Sequence, residues 1–141
     1  MFIDDLLIKL QQSKLGCYIH NYCLNALMFA DDLFLLSISV SELQQMVLIC
    51  KNELDLLDMT VNTNKSMCMR IGKRFNVTIS NLTIDQCSIP WVKEIRYLGV
   101  YIVAAKKFKC KLHYARLKYF RSINGILGKI GSSAPVGLKR P

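Results

Sequence analysis

No uninterrupted apolar run in this chain approaches the roughly 20 residues that a membrane-spanning helix needs. The longest runs, residues 26–30 and 33–36, are separated by charge. No basic region leads into a hydrophobic stretch at the N-terminus, where Asp4 and Asp5 stand instead, so no secretory signal is expected. The six cysteines (Cys17, Cys23, Cys50, Cys68, Cys87, Cys110) form no C-x-x-C pair, and there are only two histidines. A zinc site needs clustered ligands, so none is expected. Without a signal peptide a disulfide framework is not expected either. These absences lead to the expectation of a soluble intracellular protein of the cytoplasm and/or nucleus, with free, mostly buried thiols and no membrane partner.

Apolar residues make up 52% of the 141, slightly above the usual range for a soluble domain. The excess implies surfaces that meet something outside this chain. The net charge of +9 is unevenly spread. Residues 1–64 carry three Lys/Arg against eight Asp/Glu, whereas residues 65–141 carry sixteen against two. A basic half of this kind suits a polyanion, because neutralised phosphates release condensed counterions. A solvated basic face is the plain alternative.

Hydrophobic periodicity predicts a short helix over residues 2–10, ending near Ser13. Cys17-Tyr18-Ile19 and Tyr22-Cys23-Leu24 are strand-like, with His20-Asn21 as a two-residue turn. The apolar runs 24–30 and 33–36 then predict a tight hairpin with Asp31-Asp32 at its tip. Ser39-x-x-Glu42 fits a helix-capping box. The helix it opens shows one apolar stripe: Leu43, Met46, Val47, Cys50, Leu54 and Leu57. An Asn62-Thr63-Asn64 break follows. Met67, Met69 and Ile71 alternate as in a strand, residues 77–79 and 82–84 suggest a small hairpin, and residues 95–102 another strand. From Lys106 to Ile130 the pattern is helical, and Gly131-Ser132-Ser133-Ala134-Pro135 breaks it. The expected class is α+β: an antiparallel hairpin sheet plus helix, followed by a basic helix.

Two adjacent carboxylates between strongly apolar strands carry the chemical interest. Buried carboxylates must be paired, protonated or metal-bound, and like charges this close repel unless a divalent cation bridges them. An Asp-rich hairpin turn without chemistry is common, however. Phe29-Ala30-Asp31-Asp32, flanked by apolar residues, resembles the catalytic [YF]-x-D-D of reverse transcriptases, their motif C. The helix over 43–57 followed by Asn62-Thr63-Asn64-Lys65 resembles motif D. Ile95-Arg96-Tyr97-Leu98-Gly99 resembles motif E, the primer grip. Asp4-Asp5-Leu6-Leu7 and Gly16-Cys17-Tyr18-Ile19 resemble the helix and strand between motifs B and C in non-LTR (LINE- and jockey-like) retrotransposons. The order and spacing agree over roughly residues 2–130.

The resemblance implies a partial polymerase palm over 1–104, the start of a thumb helix over 105–131 and a flexible tail over 132–141. It implies an RNA-directed DNA polymerase working on an RNA template, a DNA primer and deoxynucleoside triphosphates with two Mg2+ ions. Asp31 would be a metal ligand and Asp32 the accessory carboxylate, both counted as metal-binding residues and as two of the three catalytic residues. Lys65 would approach the leaving phosphates; otherwise it is a lysine near a helix C-terminus. Tyr97, Leu98 and Gly99 would position the primer, or else form an ordinary strand. Lys107, Lys111, Lys118, Arg121 and Lys129 fall in a helical stripe roughly 80° wide, which would follow phosphates. Leu112, Ala115, Tyr119, Ile123, Ile126 and Ile130 form a neighbouring apolar stripe. The family's motif A aspartate, its motif B loop and its fingers have no counterpart here. Two-metal catalysis needs carboxylates from motifs A and C together, so the chain is expected not to polymerise DNA by itself. The alternatives are a non-catalytic nucleic-acid-binding module and a remnant without function.

Overall fold

The computed structural model describes the backbone of residues 2–130 and the side chains of residues 4–128. The expected break at residues 131–135 and the tail over 132–141 lie outside the described residues. Among the described residues the chain is α+β, with three helices and small antiparallel sheets. It divides into two compact units, one formed by residues 2–68 and 78–91, the other by residues 69–77 and 92–130.

In the first unit, α1 (Phe2–Gln12) leads to the hairpin β1 (Cys17–Ile19) and β2 (Tyr22–Leu24), whose turn places His20 at φ 55°. A second hairpin, β3 (Ala26–Phe29) and β4 (Asp32–Leu35), precedes α2 (Val40–Asp55). Leu6 and Leu10, one turn apart on α1, are buried with Met46 and Cys50 of α2. Ala26, Leu33 and Leu35 pack on this cluster from the hairpin. Burying each such aliphatic side chain contributes about 1.5–3 kcal/mol.

Asn25, between β2 and β3, is the buried polar residue that ties these pieces together. Its Nδ2 donates to the Leu10 carbonyl at 2.7 Å, answering a C-terminal carbonyl of α1 that the helix leaves open. Its own carbonyl accepts from the Leu36 N–H at 2.7 Å. Gly16 makes the close passage possible: a Cβ there would lie 2.5 Å from Asn25 Cβ, on a backbone with φ 132°.

Ser39 caps α2 as its sequence predicts, accepting from the Glu42 N–H at 3.2 Å. The reciprocal half of the box runs through Ser37. The Ser39 N–H donates to Ser37 Oγ at 3.2 Å, and that hydroxyl lies 2.9 Å from Glu42 Oε2. The apolar stripe of α2 is not one surface but two. Met46 and Cys50 face the α1 cluster, whereas Leu43 and Val47 pack on a second cluster of Cys68, Leu82, Ile84 and Ile89. Leu57 lies beyond the end of the helix.

That second cluster rests on a hairpin of β5 (Leu82–Ile84) and β6 (Cys87–Ile89). The expected partner of residues 82–84, residues 77–79, is not a strand. The true turn is Asp85-Gln86, with φ 47° and 67°, the pattern of a tight type I′ hairpin made without glycine. Gln44 of α2 pairs with Thr83 as a neighbouring strand would, donating to its carbonyl and accepting from its N–H, both at 2.9 Å. The Met67–Ile71 strand also fails in its register. Cys68 is buried and makes a single bridge to Trp91, while Met67 and Ile71 are exposed.

The second unit holds a three-stranded antiparallel sheet of β7 (Glu94–Tyr97), β8 (Val100–Val103) and β9 (Lys109–Lys111), then α3 (His113–Ile130). The single strand expected over 95–102 is a hairpin whose tip, Leu98-Gly99, has φ 48° and 80°. The helix expected from Lys106 starts only at His113, because residues 109–111 pair with β8 instead. The expected apolar stripe is exposed at Leu112, which precedes α3, and along α3 it is half-covered at Ala115 and Ile123 and exposed at Tyr119 and Ile126. No helix among the described residues is long and apolar enough to cross a membrane.

Candidate functional site

The β3–β4 hairpin pairs Phe29 with Asp32, so its two-residue tip is Ala30-Asp31 rather than Asp31-Asp32. Asp32 opens β4, on the face it shares with Phe29, Leu27 and Phe34. The opposite face, carrying Ala26, Leu33 and Leu35, packs on the α1–α2 cluster. The alternation that buries those three residues therefore sends Asp32 outward. Ala30 adopts φ 50°, a left-handed conformation that hairpins usually give to glycine or asparagine and that costs an alanine about 1 kcal/mol.

Both carboxylates are exposed. The condition that a buried carboxylate must be paired, protonated or metal-bound therefore does not apply to them: the turn lifts both into water, where their repulsion is screened. No hydrogen bond or ion pair engages either of them among the described residues. The exposed side of the hairpin is apolar, with Phe29 56% and Leu27 46% accessible. No group of three or more His, Cys, Asp or Glu side chains able to hold a metal occurs among the described residues. Asp31 and Asp32 alone fit the sparse protein ligation of Mg2+, which binds through one or two carboxylates and fills its remaining positions with water and phosphate oxygens.

Lys65 belongs to the same unit but stands on a different feature, the turn after α2. Asn62 builds that turn: its carbonyl accepts from the N–H groups of Lys65 and Ser66 at 3.1 and 3.0 Å, and its Oδ1 accepts from the Lys65 N–H at 3.2 Å. The Lys65 side chain is exposed, and no hydrogen bond or ion pair joins it to Asp31 or Asp32.

The other candidates lie in the second unit. Tyr97 is half-buried on β7, while Leu98 and Gly99 are the exposed hairpin tip. The basic stripe is corrected, because its members do not share a helix. Lys107 precedes β9 and Lys111 lies within it, whereas Lys118 and Arg121 are exposed on α3. The backbone of Lys129 belongs to α3, and its side chain is outside the described residues. Lys111 is also engaged, reaching Glu94 at 3.1 Å. Even so, the described part of this unit carries thirteen Lys/Arg against one acid, Glu94. The first unit carries four against nine. The charge division found along the sequence is thus a division between folded units.

Sequence reasoning missed an aromatic and cationic group on the three-stranded sheet. Arg96 Cζ lies 6.0 Å from the centroid of Tyr101, and the Tyr101 ring lies 5.2 Å from Tyr114 at 48°. His113 meets Tyr114 edge-on at 5.9 Å. The signal available was the placement of Arg96, Tyr101 and Lys111 opposite one another on paired strands, hidden because residues 106–112 read as helical in the sequence.

The thiols are only partly as expected. Cys50 and Cys68 are buried, which pushes their pKa values up to about 12 and about 11. Cys17 and Cys23 are half-buried, and Cys87 and Cys110 are exposed. Burial, then the nearby Glu42 carboxylate and Cys23, raises the pKa of Cys17.

Comparison with protein families, curated proteins and solved structures finds no match to this chain.

Proposed function

We propose that the chain is part of an RNA-directed DNA polymerase of the non-LTR retrotransposon type, with the β3–β4 hairpin as the metal-binding hairpin of its palm. The observation that carries this reading is the pair Asp31-Asp32, held at and beside the tip of a two-residue turn. One face of that hairpin is fixed by the α1–α2 core, and its carboxylates are free. Magnesium bound there would activate a primer hydroxyl and offset charge on the leaving pyrophosphate. Asp31, at the tip, is the residue proposed to ligate it, and Asp32 the accessory carboxylate. Lys65, exposed on the following turn, is proposed as the cation for the leaving phosphates. Tyr97 and the Leu98-Gly99 tip are proposed to guide the primer strand. Lys107, Lys118, Arg121 and Lys129 are proposed to follow nucleic-acid phosphates, with Lys111 a weaker candidate because Glu94 already neutralises it.

Two neighbouring carboxylates do not complete a two-metal site, which also draws on an aspartate from a separate strand. Catalysis in this reading therefore requires a further palm and fingers segment. The test is primer extension on an RNA template with two preparations: the 141-residue chain, and the same chain with any reading frame its transcript encodes upstream. Extension only by the longer protein, abolished by Asp31→Asn, is the expected result. Extension by the 141-residue chain alone would overturn the two-carboxylate argument. A longer protein that still extends primers after Asp31→Asn would overturn the assignment of the hairpin.

A second reading, a non-catalytic nucleic-acid-binding module, is favoured by the charge of the second unit alone. It predicts salt-sensitive binding with no dependence on Asp31.

A further inference from the structure

We infer that the face of the β7–β8–β9 sheet carrying Arg96 and Tyr101, together with Tyr114, is a stacking platform for an unpaired base of single-stranded nucleic acid. The inference rests on the reading that the second unit meets nucleic acid, and adds to it which form is bound and where.

Strand register sets the face. Side chains of paired residues point the same way, so Glu94, Arg96, Tyr101, Val103, Lys109 and Lys111 share one side of the sheet. Ile95, Tyr97, Val100, Ile102 and Cys110 share the other. The first side therefore gathers cations of β7 and β9 around the one aromatic ring that β8 places between them. Tyr114, in the first turn of α3, sets a second ring 5.2 Å from the first.

Burial does not account for these aromatics. Tyr114 is 55% exposed and Tyr101 half-buried, so the contact orders a π-surface without removing it from water. Arg96 beside the Tyr101 ring adds a planar cation, the second kind of surface on which bases stack. The electrostatics agree. Glu94, the only acid of the unit, is neutralised by Lys111. Arg96 and Lys109 have no carboxylate partner among the described residues, which leaves both for phosphates flanking a stacked base. A duplex hides its base faces, so a platform of this kind selects single strands.

The test uses the full chain and fluorescence anisotropy with three labelled probes of about twelve nucleotides, within the usual range of site sizes. They are an oligouridylate, an abasic oligomer of equal length and a duplex of equal length. The oligouridylate should bind roughly tenfold tighter than the abasic strand, the worth of about one stacked base, and tighter than the duplex. Tyr114→Ala and Tyr114→Leu, both checked for retained helix by circular dichroism, should erase that margin while leaving abasic binding unchanged. Tyr101→Phe should preserve the margin. Arg96→Gln should weaken every probe and lower the salt slope by about one. Equal binding of base-bearing and abasic strands, or preference for the duplex, would overturn the platform and leave nucleic-acid binding standing. Failure of every probe to bind at low salt would overturn both.

Discussion

The two units of this chain are held together by different means. Every buried side chain among the described residues (Leu6, Leu10, Asn25, Met46, Cys50, Cys68, Leu82, Ile84 and Ile89) belongs to the first unit. The second has none; its order comes from a three-stranded ladder and a helix whose residues are mostly exposed. The charges divide the same way, acid in the well-buried unit and base in the sparsely buried one. A small core can hold two carboxylates at a fixed turn, as a metal site requires. A surface crowded with cations gains stability when a polyanion relieves their repulsion, because ligand binding adds to folding free energy. On this account the first unit is organised in advance and the second is organised further by its ligand.

Breaking the core of the first unit should have the largest effect. Leu10→Ala leaves a cavity at a fully buried position and should cost about 2–5 kcal/mol in urea unfolding followed by circular dichroism. Hydrogen exchange should show that loss across α1, α2 and the β3–β4 hairpin. Asn25→Ala removes one of the two donors to the Leu10 carbonyl, leaving Ser13 Oγ at 2.6 Å, and should cost about 0.5–1.5 kcal/mol by the same measurement.

Alkaline pH should act on the first unit through its thiols. The pKa of Cys50 is raised from 9.0 to about 12 in the folded state, so its contribution is intact below pH 9 and is lost as pH rises through about 12. By pH 10 the unfolded state gains about 1 kcal/mol from ionising this one thiol. Urea midpoints should fall between pH 8 and pH 10, and Cys50→Ala should flatten that slope. Smallest, and opposite in sign, is Ala30→Gly. It removes the left-handed strain at the tip and should stabilise by up to about 1 kcal/mol. A loss of stability there would show that the alanine conformation is not strained.

The parts of this fold that were legible in the sequence are those where local chemistry and packing agree. The His20-Asn21 turn, the Ser39 cap and the limits of α1 needed only neighbouring residues. The misses share a cause in turn chemistry. Asp85-Gln86 and Leu98-Gly99 place both residues at positive φ with one glycine between them, so neither hairpin carried the usual signature. Missing the second made residues 106–112 look like the start of a helix, when cross-strand pairing with β8 claims residues 109–111. At the candidate site, the neighbourhood of Asp31 and Asp32 was legible from the apolar runs around them. The one-residue shift of the turn was not, because it depends on which face of β4 meets the α1–α2 core. Asn25 was equally hidden, since nothing local distinguishes a buried carbonyl-capping asparagine from a loop asparagine.

The account stands most directly on where a divalent cation settles. Substoichiometric Mn2+ added to the isotopically labelled chain, with a deoxynucleoside triphosphate present, would broaden amide resonances near its binding site. The account predicts that broadening centres on Phe29, Ala30, Asp31, Asp32 and Leu33, and that Asp31→Asn removes it. Broadening centred instead on the acids of α1 or α2, or unaffected by Asp31→Asn, would contradict the assignment of this hairpin as a metal site.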